Sequence, residues 1–574
     1  MIKVSDYIAK FLVEKNITTV FELSGGMITH LLDSFYFQES INIVTMHHEQ
    51  GASFAAEGYA RVTNLPGIAL ATSGPGATNL LTGIGSCFFD SSPAIFITGQ
   101  VNTHELKGDR GIRQLGFQET DIVSMAKPIT KWAIQVLDAE EIPTILDKAF
   151  NLSLEGRPGP VLIDIPMDIQ RAIIKNPPNE RVELVKTSHL SNQVIDNLIS
   201  DIKSSKKPLL LVGRGVRAGN CASELEGFIS KTNIPVITTL LGLDLVPFNS
   251  DLRVGFIGSY GNRWANLAFG ESDLLIVLGS RLDIRQTGAD VSFIERRKIY
   301  HVDCVIEEIN NRVKGCIPIN AELKTFFDSF NEFSQVVTFE VKKGWRTRIS
   351  ELKNLWPDTK ELDAIGINPN TLIHTISQKS SHASVYTADV GSHQMWAAQS
   401  LELSSHQQFL TSGGMGAMGF SLPAAIGASI ALKKAPVVVL VGDGSFQINI
   451  QELETIKRNK LPIKIIVFNN NTLGMIRQFQ DSYFHSRYQS TFWGYSAPDF
   501  EKIAFAYGID AKTLKSEKHI EECIDWLWNT ENIDSPLLLQ VLIDSKTNTY
   551  PKIAFGRPIT EMEPFATPID MEGT

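Results

Sequence analysis

Short, nearly uninterrupted runs of apolar and β-branched residues recur along the whole chain, each followed by a stretch of helical spacing. Such runs are what a strand buried on both faces requires, and their alternation with helices selects parallel sheets covered by helices. PGIALATSG (66–74), PAIFITGQ (93–100) and PVLIDIP (160–166) form a first set. KPLLLVGRG (207–215), IPVITT (234–239), DLLIVLGSR (273–281) and KIYHVD (298–303) form a second. SVYTADVG (384–391), PVVVLVGDG (436–444), LPIKIIVFNN (461–470) and PLLLQVLID (536–544) form a third. The expected architecture is α/β, with three doubly wound parallel-sheet domains at 1–175, 188–340 and 365–545. A length of 574 residues accommodates that number of domains. The Pro-rich, polar stretch 174–187 reads as a linker, and the charged, helical segment near 340–370 as a bridge between domains. Residues 546–574 lack a periodic pattern and read as an extended C-terminal tail on the surface or over a site.

Composition removes several classes of function. Lys+Arg 53 against Asp+Glu 63 leaves a net charge of -10 with no basic block, so no footprint for a nucleic-acid partner is present. No stretch approaches the roughly 20 apolar residues of a spanning helix, and MIKVSDYIAKFLVEKN reads as an amphipathic helix rather than a signal peptide. Cys87, Cys221, Cys304, Cys316 and Cys523 lack paired spacing, so neither a disulfide framework nor a zinc cluster is indicated. The expectation is a cytoplasmic, soluble, multidomain protein without a membrane partner.

Open parallel sheets host many chemistries, so function has to come from particular residues. The strand VVVLVG runs directly into Asp443-Gly444-Ser445. Glycines there let backbone N–H groups approach phosphate oxygens, whereas a carboxylate beside a phosphate makes sense as a cation ligand. A second strand ends in Asn469-Asn470-Asn471, followed by Thr472. Carboxylate, amide oxygen, backbone carbonyl and phosphate oxygens together suit octahedral magnesium.

GDGSF…FNN resembles the magnesium–diphosphate motif of thiamine diphosphate enzymes. TSGGMGAMGFSLPAAIGASIA (411–431), DVGSHQMWAAQ (389–399), MHHEQGASFAAEGYAR (46–61), ATSGPGATNLLTGI (71–84), GFQE (116–119) and GRPGPVLIDIPMD (156–168) resemble the catalytic subunit of acetolactate (acetohydroxyacid) synthase. The motifs span nearly the whole chain in the family's order. The resemblance implies a carboligase of branched-chain amino acid biosynthesis that decarboxylates pyruvate and adds the two-carbon unit to a second 2-oxo acid.

Site residues follow from the same resemblance. Glu49 matches the glutamate that binds N1′ of the cofactor's aminopyrimidine ring and shares its proton, with Gly26, Phe117 and Gln118 beside it in the catalytic set. Met418 matches the residue that props the cofactor in its bent form. Gly391, Ser392, His393, Gly416, Gly444, Ser445, Gly474 and Met475 match the cofactor cleft, and Asp443, Asn470 and Thr472 the magnesium site. Gly213, Gly215, Arg281 and Asp303, in the central block, match contacts of an FAD-binding domain. In the family Glu49 and Asp443 meet across a subunit interface, which implies a homodimer or homotetramer; the sequence leaves open whether a regulatory subunit is needed.

The acceptor end departs from the family. Arg285 keeps the arginine that grips the second 2-oxo acid's carboxylate. Phe479, however, stands where the synthases carry tryptophan, Ile284 replaces an acid, Met27 an alanine and Ser392 a glutamine. The loop 101–119 is longer than in ordinary synthases and adds Lys107, Arg110 and Arg113. Three acceptor readings therefore stand: a second 2-oxo acid, a dedicated ketone such as a keto sugar nucleotide, or none, as in a simple decarboxylase. Intact Glu49 and Asp443 argue against a non-catalytic relative.

Overall fold

The computed structural model describes residues 1–175, 190–292 and 294–569, so most of the expected linker at 174–187 lies outside the described residues, as does the end of the tail. Among the described residues there are three six-stranded sheets, all parallel.

The first sheet runs Asn42–Thr45, Thr19–Leu23, Gly67–Ala71, Ala94–Gln100, Pro160–Pro166, Trp132–Gln135 across its width. The third runs Gln408–Thr411, Val385–Ala388, Val437–Gly442, Ile463–Asn469, Leu537–Leu542, Asp510–Leu514. Numbered along the chain within each domain, both follow the order 2-1-3-4-6-5, so the two domains repeat one topology. The central sheet differs: Arg253–Phe256, Val236–Thr238, Pro208–Val212, Leu274–Leu278, Lys298–Asp303, Ile317–Asn320, in the order 3-2-1-4-5-6. In each sheet the order reverses beside the domain's first strand. There the loops leaving the carboxyl ends part and open a crevice, which is where open α/β sheets bind ligands.

Interior strands such as Val437–Gly442 and Leu274–Leu278 are buried along their full length, which explains their unbroken apolar sequences. The first and third domains share one core. Helix Glu49–Thr63 crosses helix Ser421–Ala431, and Phe54 meets Phe420 edge to face with ring centres 5.5 Å apart. Arg61, buried on this contact, donates to Glu57, to Asp90 at 2.8 Å and to the Thr411 carbonyl at 2.7 Å. Helix Lys343–Leu355 belongs to the central domain rather than only bridging: Trp345, Ile349 and Leu352 are buried in that core.

The C-terminal tail is more ordered than its composition suggests. Lys552–Ile553 pairs antiparallel with Met562–Glu563, and Ile553 N–H donates to the Ser259 carbonyl at 2.8 Å. This hairpin lies between the central and third domains, against the cavity described next.

Candidate functional site

The third domain's crevice is a cavity of about 560 Å³. Asp443, Gly444, Ser445, Asn470, Thr472, Gly474, Met475, Gly391, Ser392, His393 and Met418 all line it. Direct pairing of Val437–Gly442 with Ile463–Asn469, with Gly442 opposite Phe468, is what brings Asp443 beside Asn470. The Asn470 side-chain amide lies 2.8 Å from the Thr472 carbonyl oxygen and 3.3 Å from Asp443 Oδ1. With its nitrogen on that side the amide donates to both; turned over, it would offer its oxygen to a cation beside Asp443 and the Thr472 carbonyl. Asp443 Oδ2 makes no well-directed hydrogen bond, although the Tyr495 hydroxyl lies close by. Burial pushes the Asp443 carboxyl up to about 7, against the hydrogen bonds that favour its charge. A buried acid left this way fits a hard divalent cation. No cluster of three His, Cys, Asp or Glu side chains suited to a softer metal occurs among the described residues.

Backbone approach in this crevice is close. A methyl on Gly444 would fall 2.7 Å from Leu473 and 3.6 Å from the Met418 methyl, and one on Gly474 would fall 2.9 Å from Ser392 Oγ. Ser392 Oγ has no hydrogen-bond partner among the described residues, while Ser445 Oγ donates to the Val390 carbonyl at 2.8 Å. His393 is buried, which holds its imidazole down near 3 and therefore neutral; its Nε2 accepts from Gly442 N–H at 3.2 Å. Met418 sits between Gly416 and Gly419, whose φ angles of +66° and +86° suit residues without a side chain. Gly416 itself lines the neighbouring cavity of the central domain.

The first domain gathers its candidates at the carboxyl ends of its strands. Glu49 opens its helix, is buried, and accepts from Asn79 Nδ2 at 2.9 Å. His48 caps that helix by accepting from Gln50 N–H. Gly26 leaves open space where a side chain would sit. Gln118 has a left-handed backbone, φ +64°, and packs on Gly74, a strained position of the kind found at ligand sites. Phe117 is 78% exposed. Glu119 organises the loop 101–119 by accepting from Lys107 N–H and Leu115 N–H, and Arg110 donates to the loop's own Leu106 and Lys107 carbonyls. Glu49 and Gln118 line neither this cavity nor the next one.

The central crevice is a cavity of about 700 Å³, lined by Gly213, Gly215, Arg281 and Asp303. Gly213 N–H and Gly215 N–H donate to the Leu278 and Gly279 carbonyls, and a methyl on Gly215 would fall 2.6 Å from the Gly279 Cα. Arg214 also lines the cavity; burial, and then the charge of Arg61, pull its guanidinium down to about 10, and its Nε has no hydrogen-bond partner among the described residues. A cation in that state fits an anionic group such as a cofactor diphosphate. Asp303 accepts from Val305 N–H at 2.9 Å. Arg285 and Tyr260 line both cavities and connect them.

Several residues of the site escape a reading of the sequence. Asp389 is buried and accepts from Gly419 N–H at 2.9 Å, Ser421 N–H at 2.8 Å and Ser421 Oγ at 2.7 Å, so it fixes the turn that carries Met418. Its signal was available, an acid at a strand end before a glycine, like Asp443. Tyr495 and Asn79 had no local signal. Lys552, Ile553, Ala554, Phe555 and Gly556 of the tail hairpin line the 560 Å³ cavity together with Phe479, Ile284 and Arg285.

Comparison with known proteins agrees with this layout. Residues 2–125 match the model for the thiamine pyrophosphate enzyme N-terminal TPP binding domain, 195–330 the central domain, and 389–541 the C-terminal TPP binding domain. The chain is 35% identical over 559 residues to acetolactate synthase isozyme 2 large subunit of Escherichia coli (strain K12), covering 97% of this chain and 98% of that protein. It is 35% identical over 561 residues to the acetolactate synthase large subunit of Lactococcus lactis subsp. lactis (strain IL1403), covering 97% and 95%. It is 36% identical over 568 residues to acetolactate synthase 2, chloroplastic, of Nicotiana tabacum, covering 96% and 84%. With three cognate domains in order and similarity running almost end to end, the chain belongs to the acetolactate synthase large-subunit family of thiamine pyrophosphate enzymes.

Proposed function

We propose that this enzyme, a thiamine diphosphate-dependent carboligase of acetolactate synthase type, breaks the bond between the carboxylate and carbonyl carbons of pyruvate and joins the remaining two-carbon unit to the carbonyl carbon of a second 2-oxo acid. Carbon dioxide leaves and 2-acetolactate is the product, a step of branched-chain amino acid biosynthesis. The observation that carries the reading is the buried Asp443 carboxylate, its Oδ2 without a hydrogen bond among the described residues, set beside the Asn470 amide, the Thr472 carbonyl and Gly444 at the third domain's crevice. When bound, thiamine diphosphate supplies the electron sink that lets carbon dioxide depart.

The chain's own residues do the rest. Asp443, Asn470 and the Thr472 carbonyl would hold Mg2+, and Gly444 would let the diphosphate approach the backbone. Met418, on the turn fixed by Asp389, would support the cofactor. Glu49 would hold a proton at the aminopyrimidine nitrogen. Because Glu49 does not line the cavity that contains Asp443, the reading assigns it to the site of a second copy, and the working unit is a homodimer or a pair of homodimers. FAD would be held in the central cavity by Arg214 and the Gly213–Gly215 backbone, without a net redox role. Arg285 grips the acceptor's carboxylate. Two of the relatives are named large subunits, and a smaller regulatory partner is part of this reading, as is a cytoplasmic location. Among the described residues no helix is long and apolar enough to cross a membrane.

Incubating the purified protein with thiamine diphosphate, Mg2+ and pyruvate tests the assignment. Release of carbon dioxide with formation of acetolactate is expected. Absence of carbon dioxide refutes the donor chemistry, and carbon dioxide without acetolactate refutes the acceptor. Yellow protein is expected on purification; a colourless preparation that takes up no flavin refutes the FAD assignment.

A further inference from the structure

Helix Glu49–Thr63 is held along its length by the crossing with helix Ser421–Ala431, which leaves its first turn, the part that carries Glu49, to be fixed separately. The third domain of the same chain fixes it. Glu452, at the start of helix Glu452–Asn459, is fully buried, and its Oε1 accepts from the His47 N–H at 3.0 Å, with the His48 N–H close by. Its Oε2 accepts from Thr455 Oγ1 at 2.7 Å. Gly51 makes room for the carboxylate, since a methyl there would fall 2.6 Å from Glu452 Oε1. Asn449 Nδ2 donates to Gln50 Oε1 at 3.0 Å and to the Gly419 carbonyl at 2.8 Å. One amide therefore ties the residue after Glu49 to the residue after Met418.

The helix itself does not require this carboxylate. His48 already caps it through Nδ1, which accepts from the Gln50 N–H at 3.0 Å. Among the described residues no ion pair neutralises Glu452; Arg458, whose charge favours the anion, donates to the Thr45 carbonyl instead. Burial raises the Glu452 carboxyl to about 6, which leaves it ionised at neutral pH. A buried carboxylate without a cation costs stability. What it supplies is a charge-assisted hydrogen bond, about twice as strong as a neutral one, and with it a fixed direction for the backbone just before Glu49.

We propose that Glu452 and Asn449 are positioning residues for Glu49, which lock the first turn of its helix against the Met418 turn of the same chain. The proposal rests on the reading above that Glu49 serves the site of a second copy. On that reading the acid that one chain lends to its neighbour is aligned by the lender's own third domain. Asn449 and Glu452 lie only six and nine residues beyond Asp443, so the segment that builds one site also aims the acid of the other. Neither residue lines a cavity beside Asp443 or touches the reacting groups; both act through the backbone and side chain next to Glu49. Alignment matters because a displacement of about 1 Å at a catalytic group can cost roughly a hundredfold in rate.

Two readouts test this. In the cofactor-free protein, hydrogen exchange at the backbone amides of 46–50, followed by mass spectrometry, is expected to quicken about tenfold or more in Glu452→Leu. It should stay near the parental rate in Glu452→Gln, which keeps an acceptor oxygen. The second readout is carbon dioxide release by mixed dimers of a Glu49→Gln chain and an Asp443→Ala chain, whose one working site takes Glu49 from the Asp443→Ala chain. Adding Glu452→Leu to that chain is expected to lower the release about 10²-fold, whereas adding it to the Glu49→Gln chain should change it by less than about twofold. A purely structural role would lower both arrangements alike. Where Glu452→Leu does not fold, Gln50→Met removes the tie to Asn449 and leaves the Asn449–Gly419 bond; the same asymmetry is expected, at about tenfold. Unchanged amide exchange, equal losses in the two arrangements, or Glu452→Gln as impaired as Glu452→Leu overturns the proposal. Failure of the second-copy reading is distinguishable, because the mixed dimers would then be inactive before any third substitution, while amide exchange still decides whether Glu452 holds the turn.

Discussion

Gly58 and Ala424 meet so closely that a methyl group on Gly58 would lie 2.2 Å from the Ala424 carbonyl oxygen. The contact is reciprocated one turn away, where a methyl on Gly427 would lie 1.9 Å from the Ala55 carbonyl. Two helices cross there, one beginning at Glu49 and the other just after Met418, so the crossing sets how the first and third domains sit against each other. Gly58→Ala is expected to destabilise the protein by about 3 kcal/mol, the upper part of the range for overpacking, since the obstructing atom is backbone. Thermal or denaturant unfolding measures this; an unchanged midpoint refutes the crossing.

Glu49→Gln keeps an oxygen for the Asn79 hydrogen bond but loses the shared proton. Turnover should fall by about 10²–10⁴-fold, the usual weight of a positioned acid or base, with the unfolding midpoint nearly unchanged. Near-parental carbon dioxide release would remove Glu49 from the mechanism.

If Glu49 serves the site of a second copy, two inactive variants should complement each other. Chains carrying Glu49→Gln, unfolded and refolded together with chains carrying Asp443→Ala, would form mixed dimers in which one site holds both native residues. Roughly a quarter of parental activity is expected from random pairing in a two-fold dimer. No recovery, with mixed dimers present, places both residues in one chain's site.

The Asp443 carboxyl is raised by burial to about 7, which fixes a sign for pH dependence without metal. The folded state holds this proton more tightly than the unfolded chain, where the group titrates near ~3.9. Its contribution is therefore most favourable below ~4, declines as pH rises to about 7, and stays level above. Asp443→Asn should flatten that decline in the metal-free protein and abolish the rise in unfolding midpoint on adding Mg2+ and thiamine diphosphate. A retained midpoint rise counts against the metal assignment.

His374 lies between Asp358 Oδ2 at 2.8 Å and Glu402 Oε1 at 2.7 Å. Burial lowers its basicity, but the hydrogen bonds and charges of the two acids outweigh it and leave the imidazole raised. The tether should be at full strength below about pH 6.5 and weaken as pH rises through the raised value. In His374→Gln that part of the pH dependence of the unfolding midpoint should vanish; identical profiles for the two proteins would refute the charge on His374.

What the sequence determined by itself was the interior of each sheet. LLIVL and VVVLVG are legible because a parallel strand with helices on both faces is buried at every position and reads as a continuous apolar run. Edge strands such as Trp132–Gln135, Ile317–Asn320 and Asp510–Leu514 are half-exposed, and their mixed sequences are indistinguishable from loops. The diphosphate turn was legible for a similar reason: Asp443 and Gly444 are local in sequence, and Asn470 follows the adjacent strand. Arg285, Ile284 and Phe479 came into view only through a family resemblance, and only the tertiary structure added Tyr260, Tyr483 and a hairpin beyond 550 to the same cavity. Nothing in the chain near Lys552 indicates that Glu563 will neutralise it or that Tyr483 will lie beneath it. Periodicity reports whether a residue faces a core, whereas the chemistry of a cavity depends on which distant segments pack around it.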